Sequence, residues 1–215
     1  MTTLYNYFRS SAAFRVRIAL NYKGIAYTPQ AVSLVDNKHR DADYRALNAQ
    51  GLVPSLNIDE HMLSQSMAII EYLEETRPEP ALLPRDALGR HRVRALSQVI
   101  ACEIHPINNL RILKYLKHPL NHNQEEIDTW YRHWCVEGLS AFETMLSDGA
   151  SGLYCHGDSV TMADVCLVPQ VFNALRFKVD MSAYPRIGQI NARLLGLAAF
   201  DAAQPSKQPD APAAG

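Results

Sequence analysis

The run Leu4-Tyr5-Asn6-Tyr7-Phe8-Arg9-Ser10-Ser11-Ala12-Ala13-Phe14-Arg15-Val16-Arg17-Ile18-Ala19-Leu20 decides how the first part of the chain folds. Its aromatic start reads as a short strand. The polar triplet Arg9-Ser10-Ser11 reads as a turn. Val16, Ala19 and Leu20 then recur at helical spacing, and Gly24 marks a stop. A strand that feeds a helix through a polar turn leaves backbone N–H groups and a positive dipole end at that turn. A carboxylate, phosphate or thiolate is stabilised at such a place. Arg9 adds a full charge, and Ser10 and Ser11 add hydroxyl donors. The plainer reading is that Ser10 or Ser11 only caps the helix, which contributes ~1 kcal/mol.

Working outward, Ala26-Tyr27-Thr28-Pro29-Gln30-Ala31-Val32 reads as a second strand, and Pro29 assigns it to an edge or a bulge. Strand, helix and strand make a βαβ unit with parallel pairing. A polar loop over 33–40 leads to a short helix near 41–48. Gly51-Leu52-Val53-Pro54-Ser55-Leu56-Asn57-Ile58 is the next strand, with Pro54 at its start, where no ladder donor is needed. The Val53–Pro54 bond could be cis or trans. Met62-Leu63-Ser64 completes a hairpin whose turn lies around Asp59-Glu60-His61. A strong helix follows over 67–75, with Ser66 in the N-cap position. Helix N-termini at Ser11 and Ser66 could therefore serve one side of a single sheet and hold a ligand with more than one anionic group.

The proline-rich Arg77-Pro78-Glu79-Pro80-Ala81-Leu82-Leu83-Pro84 ends that helix, and strand signals nearly vanish beyond it. Residues 87–117 carry Val93, Leu96, Val99, Ile100 and Ile104 at helical spacing, with a bend expected at Pro106. Glu103, His105, Asn108, Asn109 and Arg111 cluster around that proline. They read either as polar packing between helices or as ligand contacts. Residues 123–146 form another amphipathic helix, whose Trp130 and Trp134 read as core. Thr161-Met162-Ala163-Asp164 has the form of a capping box that opens a helix through Phe177, with a kink expected at Pro169. Arg176, near its end, is either a cation at a helix C-terminus or a carboxylate ligand. One or two more helices lie over 185–204. The end of the chain, from Pro205, is rich in Pro, Ala and Gln and reads as disordered. The expected organisation is a first domain over 1–80, a helical domain over 86–208 and a disordered tail over 209–215.

Composition narrows the function. The chain has 215 residues, 47% of them hydrophobic, and a net charge of −1. That charge gives no basic surface for nucleic acid or anionic lipid. No apolar run approaches the ~20 residues that span a bilayer, and no signal-peptide pattern opens the chain, so no membrane partner and a cytoplasmic location are expected. Cys102, Cys135, Cys155 and Cys166 form no Cys-x-x-Cys pair and read as buried small hydrophobes. The histidines show no metal-ligand spacing, so no metal is expected.

The order of elements and the residues just quoted resemble the glutathione transferases. The resemblance implies an α/β thioredoxin-like N-terminal domain followed by an all-α C-terminal domain. More narrowly, Arg9-Ser10-Ser11 followed by Arg15-Val16-Arg17-Ile18-Ala19-Leu20 is similar to the zeta class, whose signature is Ser-Ser-Cys before Arg-Val-Arg-Ile-Ala-Leu. The resemblance covers residues 4–208. Ala12 departs from it, standing where the class usually has cysteine. That bears on side reactions that depend on the cysteine and leaves the serine in place.

The resemblance implies glutathione as cofactor. It implies contacts from Ser10, Ser11, His39, the backbone of Val53 before a cis-proline, Gln65, Ser66, His105 and Asn109. For His39 a solvated loop histidine is the other reading. Ser11, with Ser10 and Arg9, would serve the thiolate. Arg9, Arg176 and Asn108 would hold a dicarboxylate substrate. Asp164 would be structural. The implied reaction is cis–trans isomerisation of maleylacetoacetate to fumarylacetoacetate in tyrosine and phenylalanine breakdown, through reversible addition of glutathione. The alternatives are maleylpyruvate isomerisation in gentisate breakdown, a transferase acting on small haloacids or other electrophiles, and a non-enzymatic binding module. A homodimer is implied as well.

Overall fold

The computed structural model describes residues 1–212. In its first part β1 (Thr3–Asn6), α1 (Ser11–Tyr22), β2 (Thr28–Ala31) and α2 (Ala42–Leu47) precede the hairpin β3 (Ser55–Ile58) and β4 (His61–Ser64). Helix α3 (Ser66–Thr76) closes that part. Helices α4 (Ala87–Gln98), α5 (His105–Ile107), α6 (Leu110–Lys117) and α7 (Gln124–Met145) follow, with a π-helical stretch, Val99–Ile104, between α4 and α5. The last helices are α8 (Met162–Arg176), α9 (Pro185–Leu195) and α10 (Ala198–Ala202).

These elements form two units, Met1–Ala81 with the chain from Leu195 onward, and Leu82–Leu194. The first is the α/β thioredoxin-like unit implied by the sequence. Its sheet has the order β2-β1-β3-β4. β1 pairs parallel with β2 and antiparallel with β3, and β3 pairs antiparallel with β4. Pro29 stands in β2, an exposed edge strand, where its missing N–H leaves no central ladder unpaired. Leu4, Leu56 and Ile58 of the sheet are buried, as are Phe14 and Ile18 of α1 and Ile69, Ile70 and Leu73 of α3. Helix α1 stops where Gly24 takes φ +66°. Gly24 N–H donates to Asn21 C=O at 3.1 Å and Ile25 N–H to Leu20 C=O at 2.9 Å, the bond pair of a Schellman stop.

The C-terminal part differs from the sequence reading. The chain from Leu195 joins the first unit, not the helical one, because its apolar groups find a surface on α1. Phe200 and Ala203 are fully buried, and Arg17 Nε donates to Ala203 C=O at 3.0 Å. The tail is also not disordered through 212, since Asp210 accepts a hydrogen bond from Phe8 N–H at 2.8 Å. Residues 213–215 of the expected tail lie outside the described residues.

The named elements of the second unit are all helices, and the stretch between α7 and α8 carries only an isolated bridge, Ser151 to Gly157. The bend expected at Pro106 within 87–117 is a full interruption, which divides the run into α4, the π-helical stretch, α5 and α6. The π-helical stretch lies directly before Pro106, and His105 N–H bonds to Ile100 C=O, five residues back. A proline ring clashes with the carbonyl four residues back, and the wider spacing relieves that clash. The π-helical stretch lies close against α7, where a Cβ on Gly138 would collide with Ile104 Cγ1 and Cδ1. Helix α7 opens with a capping box from Asn123 and Glu126 that the sequence reading did not name. The expected box at α8 is present: Asp164, fully buried, accepts from Thr161 N–H and Oγ1, both at 2.8 Å, and from Cys155 N–H at 2.9 Å. Helix α8 continues through Pro169.

Candidate active site

In the first unit, three connections leave the sheet at one end. β1 and β4 are each antiparallel to β3 and so run the same way. Tyr5 is level with Ser55, and Ser55 with Ser64. The turn after β1, the residues before β3 and the turn after β4 therefore share one sheet end. Helices α1 and α3 start there and run side by side. Arg15 Nη1 donates to Ser66 Oγ at 3.2 Å and Lys23 Nζ to Glu74 Oε2 at 2.8 Å, the same separation of 51 residues in each pair. Parallel helices in that register begin within about one turn of each other, ~6 Å along the axis. With axes ~8–10 Å apart, their first turns lie roughly 10–12 Å apart.

The serines have distinct places. Ser10 is the N-cap of α1, and its Oγ accepts from Ala13 N–H at 3.2 Å. Ser11 is the first helical residue and is buried. The cap role read for either serine thus belongs to Ser10, and Ser11 stands at the positive end of the helix dipole. Arg9 is exposed. Its guanidinium lies 5.2 Å from the Phe8 ring centroid and 5.9 Å from that of Tyr7, with Nη2 3.3 Å from Tyr7 Oη. These rings support the cation without removing it from solvent.

Ser66 is not the N-cap of α3. Gln65 is, with φ 67° and ψ 112°, and Ser66 is the first helical residue. Arginine has only donors, so Ser66 Oγ must accept from Arg15, and its own O–H is left to donate to another group. Arg15 is 1% exposed, and its charge reinforces the positive N-terminus of α3. Gln65 Nε2 donates to Gln50 Oε1 at 2.7 Å, and Gln50 N–H to Asn48 Oδ1 at 3.1 Å.

Val53–Pro54 is cis, as is Glu79–Pro80. The Leu52 carbonyl just before them is held from inside by Tyr44 Oη at 2.7 Å and Asn48 Nδ2 at 2.8 Å. The peptide from Leu52 to Val53 is trans, so its N–H points opposite that carbonyl, away from the polar cluster. His39 is 9% exposed, which excludes a solvated loop histidine. Its carbonyl lies where a Cβ on Gly51 would come within 2.7 Å, so Gly51, at φ +59°, lets the loop close down beside the Val53–Pro54 element. Arg15, Tyr44, Asn48 and Gln50 were missed from sequence because their parts depend on partners distant in the chain.

In the second unit, Asn109 is the N-cap of α6, with Oδ1 accepting from Arg111 N–H at 3.1 Å and Nδ2 3.3 Å from His105 Nε2. Asn108 does not join this pair. It is 6% exposed and turned inward, donating to Tyr131 C=O at 3.2 Å and to Cys135 Sγ at 3.6 Å. Its Oδ1 is buried without a hydrogen-bond partner among the described residues. Arg176 is the exposed last residue of α8, 4.8 Å from the Phe177 ring, which stacks at 3.5 Å on Tyr131. Cys102 is exposed, against expectation, while the other three cysteines are buried. Burial pushes the Cys135 thiol up to about 12 and Cys155 well above the usual thiol range, so neither is a nucleophile. Among the described residues no group of three or more His, Cys, Asp or Glu side chains could hold a metal ion. No helix among them is long and apolar enough to cross a membrane.

Comparison with known proteins agrees with this geometry. Residues 4–81 match the family model of the glutathione S-transferase N-terminal domain. A probable maleylacetoacetate isomerase of Vibrio cholerae is 51% identical over 210 residues, covering 97% of each chain. The holo structure of a maleylpyruvate isomerase, described as a bacterial zeta-class glutathione S-transferase, superposes with a TM-score of 0.96 at 47% identity, covering 98% of this chain and all of that one. A maleylacetoacetate isomerase of Methylobacterium extorquens, solved with bound malonate and glutathione, superposes with a TM-score of 0.95 at 40% identity and the same coverage.

Proposed function

The chain belongs to the zeta class of the glutathione transferases, and on that premise we propose that it is a glutathione-dependent cis–trans isomerase. Its proposed substrate is maleylacetoacetate and its product fumarylacetoacetate, in tyrosine and phenylalanine breakdown. Relatives named for that activity match over nearly the whole chain. The observation that carries the reading is the pair of helix N-termini at one sheet end, roughly 10–12 Å apart. In a γ-glutamyl-cysteinyl unit the glutamyl methylenes lie in the main-chain path, so the extended unit is longer than the ~7 Å of two ordinary residues and reaches toward that separation.

The donor set fits that ligand. Ser66 O–H and the first amides of α3, with the Arg15 charge behind them, suit the γ-glutamyl carboxylate. The Val53 backbone suits the cysteinyl amide, and His39, Gln65, His105 and Asn109 are the further contacts. Ser11 and the amides at the start of α1 suit a sulfur anion. When bound, glutathione supplies a thiolate that adds reversibly to the cis double bond, so the bond can rotate. Arg9 and Arg176 hold the substrate carboxylates, for which the planar guanidinium fork is suited. We propose further that it acts in the cytoplasm as a homodimer.

The test is turnover of maleylacetoacetate by the purified protein, with and without glutathione. The expected result is turnover that needs glutathione and does not consume it. No turnover, or stoichiometric loss of glutathione, refutes the reading. The likeness to a maleylpyruvate isomerase favours a second substrate, and the kcat/KM ratio for the two keto acids decides between them.

A further inference from the structure

Resting on that reading, we propose that Asp210 is a positioning residue: with Arg17 it clamps both backbone polar groups of Phe8 and so fixes the turn that presents Arg9, Ser10 and Ser11. The turn is closed by Ser10 N–H bonding to Tyr7 C=O at 2.9 Å. Phe8 and Arg9 are its central residues, whose backbone groups in a surface turn are ordinarily left to water. Here Phe8 N–H donates to Asp210 Oδ2 at 2.8 Å, and Phe8 C=O accepts from Arg17 Nη2 at 3.0 Å. Both bonds involve a charged partner, which makes each about twice as strong as a neutral bond.

The two partners are themselves anchored. Arg17 is fully buried and uses its other donors on Asn6 Oδ1 of β1 and on Ala203 C=O, each at 3.0 Å. One guanidinium thus joins the end of β1, the turn and the C-terminal segment. Burial pulls its pKa down to about 10, against the opposing charges of Tyr27 and Asp210. The segment carrying Asp210 is held by buried Phe200 and by Asn21 Nδ2 on Ala199 C=O at 3.1 Å. Gln208 Nε2 ties it further to Ala202 C=O at 3.0 Å and Gln204 C=O at 2.9 Å. Asp210 therefore sits on a fixed support. Its carboxylate does not touch substrate in this scheme. It acts through Phe8 on the position of the next three residues, where a displacement of ~1 Å can lower a rate by a factor of ~100.

The experiment compares Asp210→Ala and Asp210→Asn with the wild type. Asparagine keeps an acceptor for Phe8 N–H, and alanine does not. The readouts are kcat, KM for each substrate, and the apparent pKa of the bound glutathione thiol from its ultraviolet absorbance. Asp210→Ala is expected to lose kcat by about tenfold to a hundredfold and to raise the thiol pKa, with Asp210→Asn recovering most of both. A change confined to Tm, with kcat and thiol pKa unmoved, overturns the proposal. The thiol titration needs no keto acid, so it tests the clamp even if the assigned substrate is wrong. Should the alanine protein not fold, hydrogen exchange of the Phe8 amide in the wild type decides. Slow exchange supports the clamp, and exchange at the rate of an exposed turn amide overturns it.

Discussion

Replacing Ser11 with alanine removes one hydroxyl from the start of α1 and leaves the cap in place, because Ser10 holds Ala13 N–H. The size of the effect follows from thiol chemistry. A free thiol with pKa ~8.5 is ~3% ionised at pH 7. Lowering that pKa to ~6.5 takes ~2.7 kcal/mol of thiolate stabilisation. One hydrogen bond to a charged group contributes ~1.5–3 kcal/mol, and the helix amides ~0.3–1 kcal/mol. Ser11→Ala keeps the amides and loses the hydroxyl. The bound thiol pKa then rises by ~1–2 units, and turnover at pH 7 falls ~3- to 25-fold. The sign is specific. The pKa is depressed by binding, so the fold loss is largest below the wild-type pKa, where it reaches ~10- to 100-fold, and it fades above ~pH 9, where both proteins hold thiolate. The assay is kcat/KM against pH beside an ultraviolet titration of bound glutathione. Ser10→Ala is the contrast: it loses a cap of ~1 kcal/mol, lowers Tm by ~2–4 °C and keeps its thiol pKa. A Ser11→Ala protein with an unchanged thiol pKa, or with a loss independent of pH, would refute the reasoning.

Three other outcomes are expected. Arg176→Ala, at the exposed end of α8, raises KM for the dicarboxylate about tenfold or more while leaving glutathione affinity unchanged; unchanged steady-state constants remove Arg176 from the substrate site. Asp164→Ala strands the buried Thr161 and Cys155 N–H groups, at ~1–3 kcal/mol each, within a total stability of ~5–15 kcal/mol; a denaturant melt showing a loss under ~1 kcal/mol contradicts the box. Lys23 Nζ is buried and donates to Glu74 Oε2 and to the Arg77 and Pro80 carbonyls. Lys23→Met therefore costs ~3–5 kcal/mol, and the double change with Glu74→Leu recovers much of it; equal stabilities for the single and double variants count against a coupled pair.

Several features were legible in the sequence because they are local. Gly24 ends α1 through bonds reaching only a few residues back. Pro29 cannot donate to a second neighbour, which is enough to send β2 to the edge. Thr161 and Asp164 are three residues apart, and the spacing alone makes the box. Even the shared sheet end follows from strand directions set by a βαβ unit and a hairpin. The signature from Arg9 to Leu20 then placed the family.

Other features could not be read there. Nothing in the string separates the cap at Ser10 from the first helical residue at Ser11, since both residue types suit either place. Asn108 and Asn109 are adjacent and identical in kind, yet one is turned into the core and the other caps α6, a difference set by the phase of the backbone around the π-helical stretch before Pro106. The polar end of the chain looked disordered because composition counts apolar residues and not partners. Asp210 meets Phe8 across 202 residues of sequence. Propensity and periodicity act over a few residues and so determine elements and their order. Which buried charge, amide or hydroxyl meets which is decided only when distant segments pack, because a polar group removed from water must find its partner wherever the fold brings one.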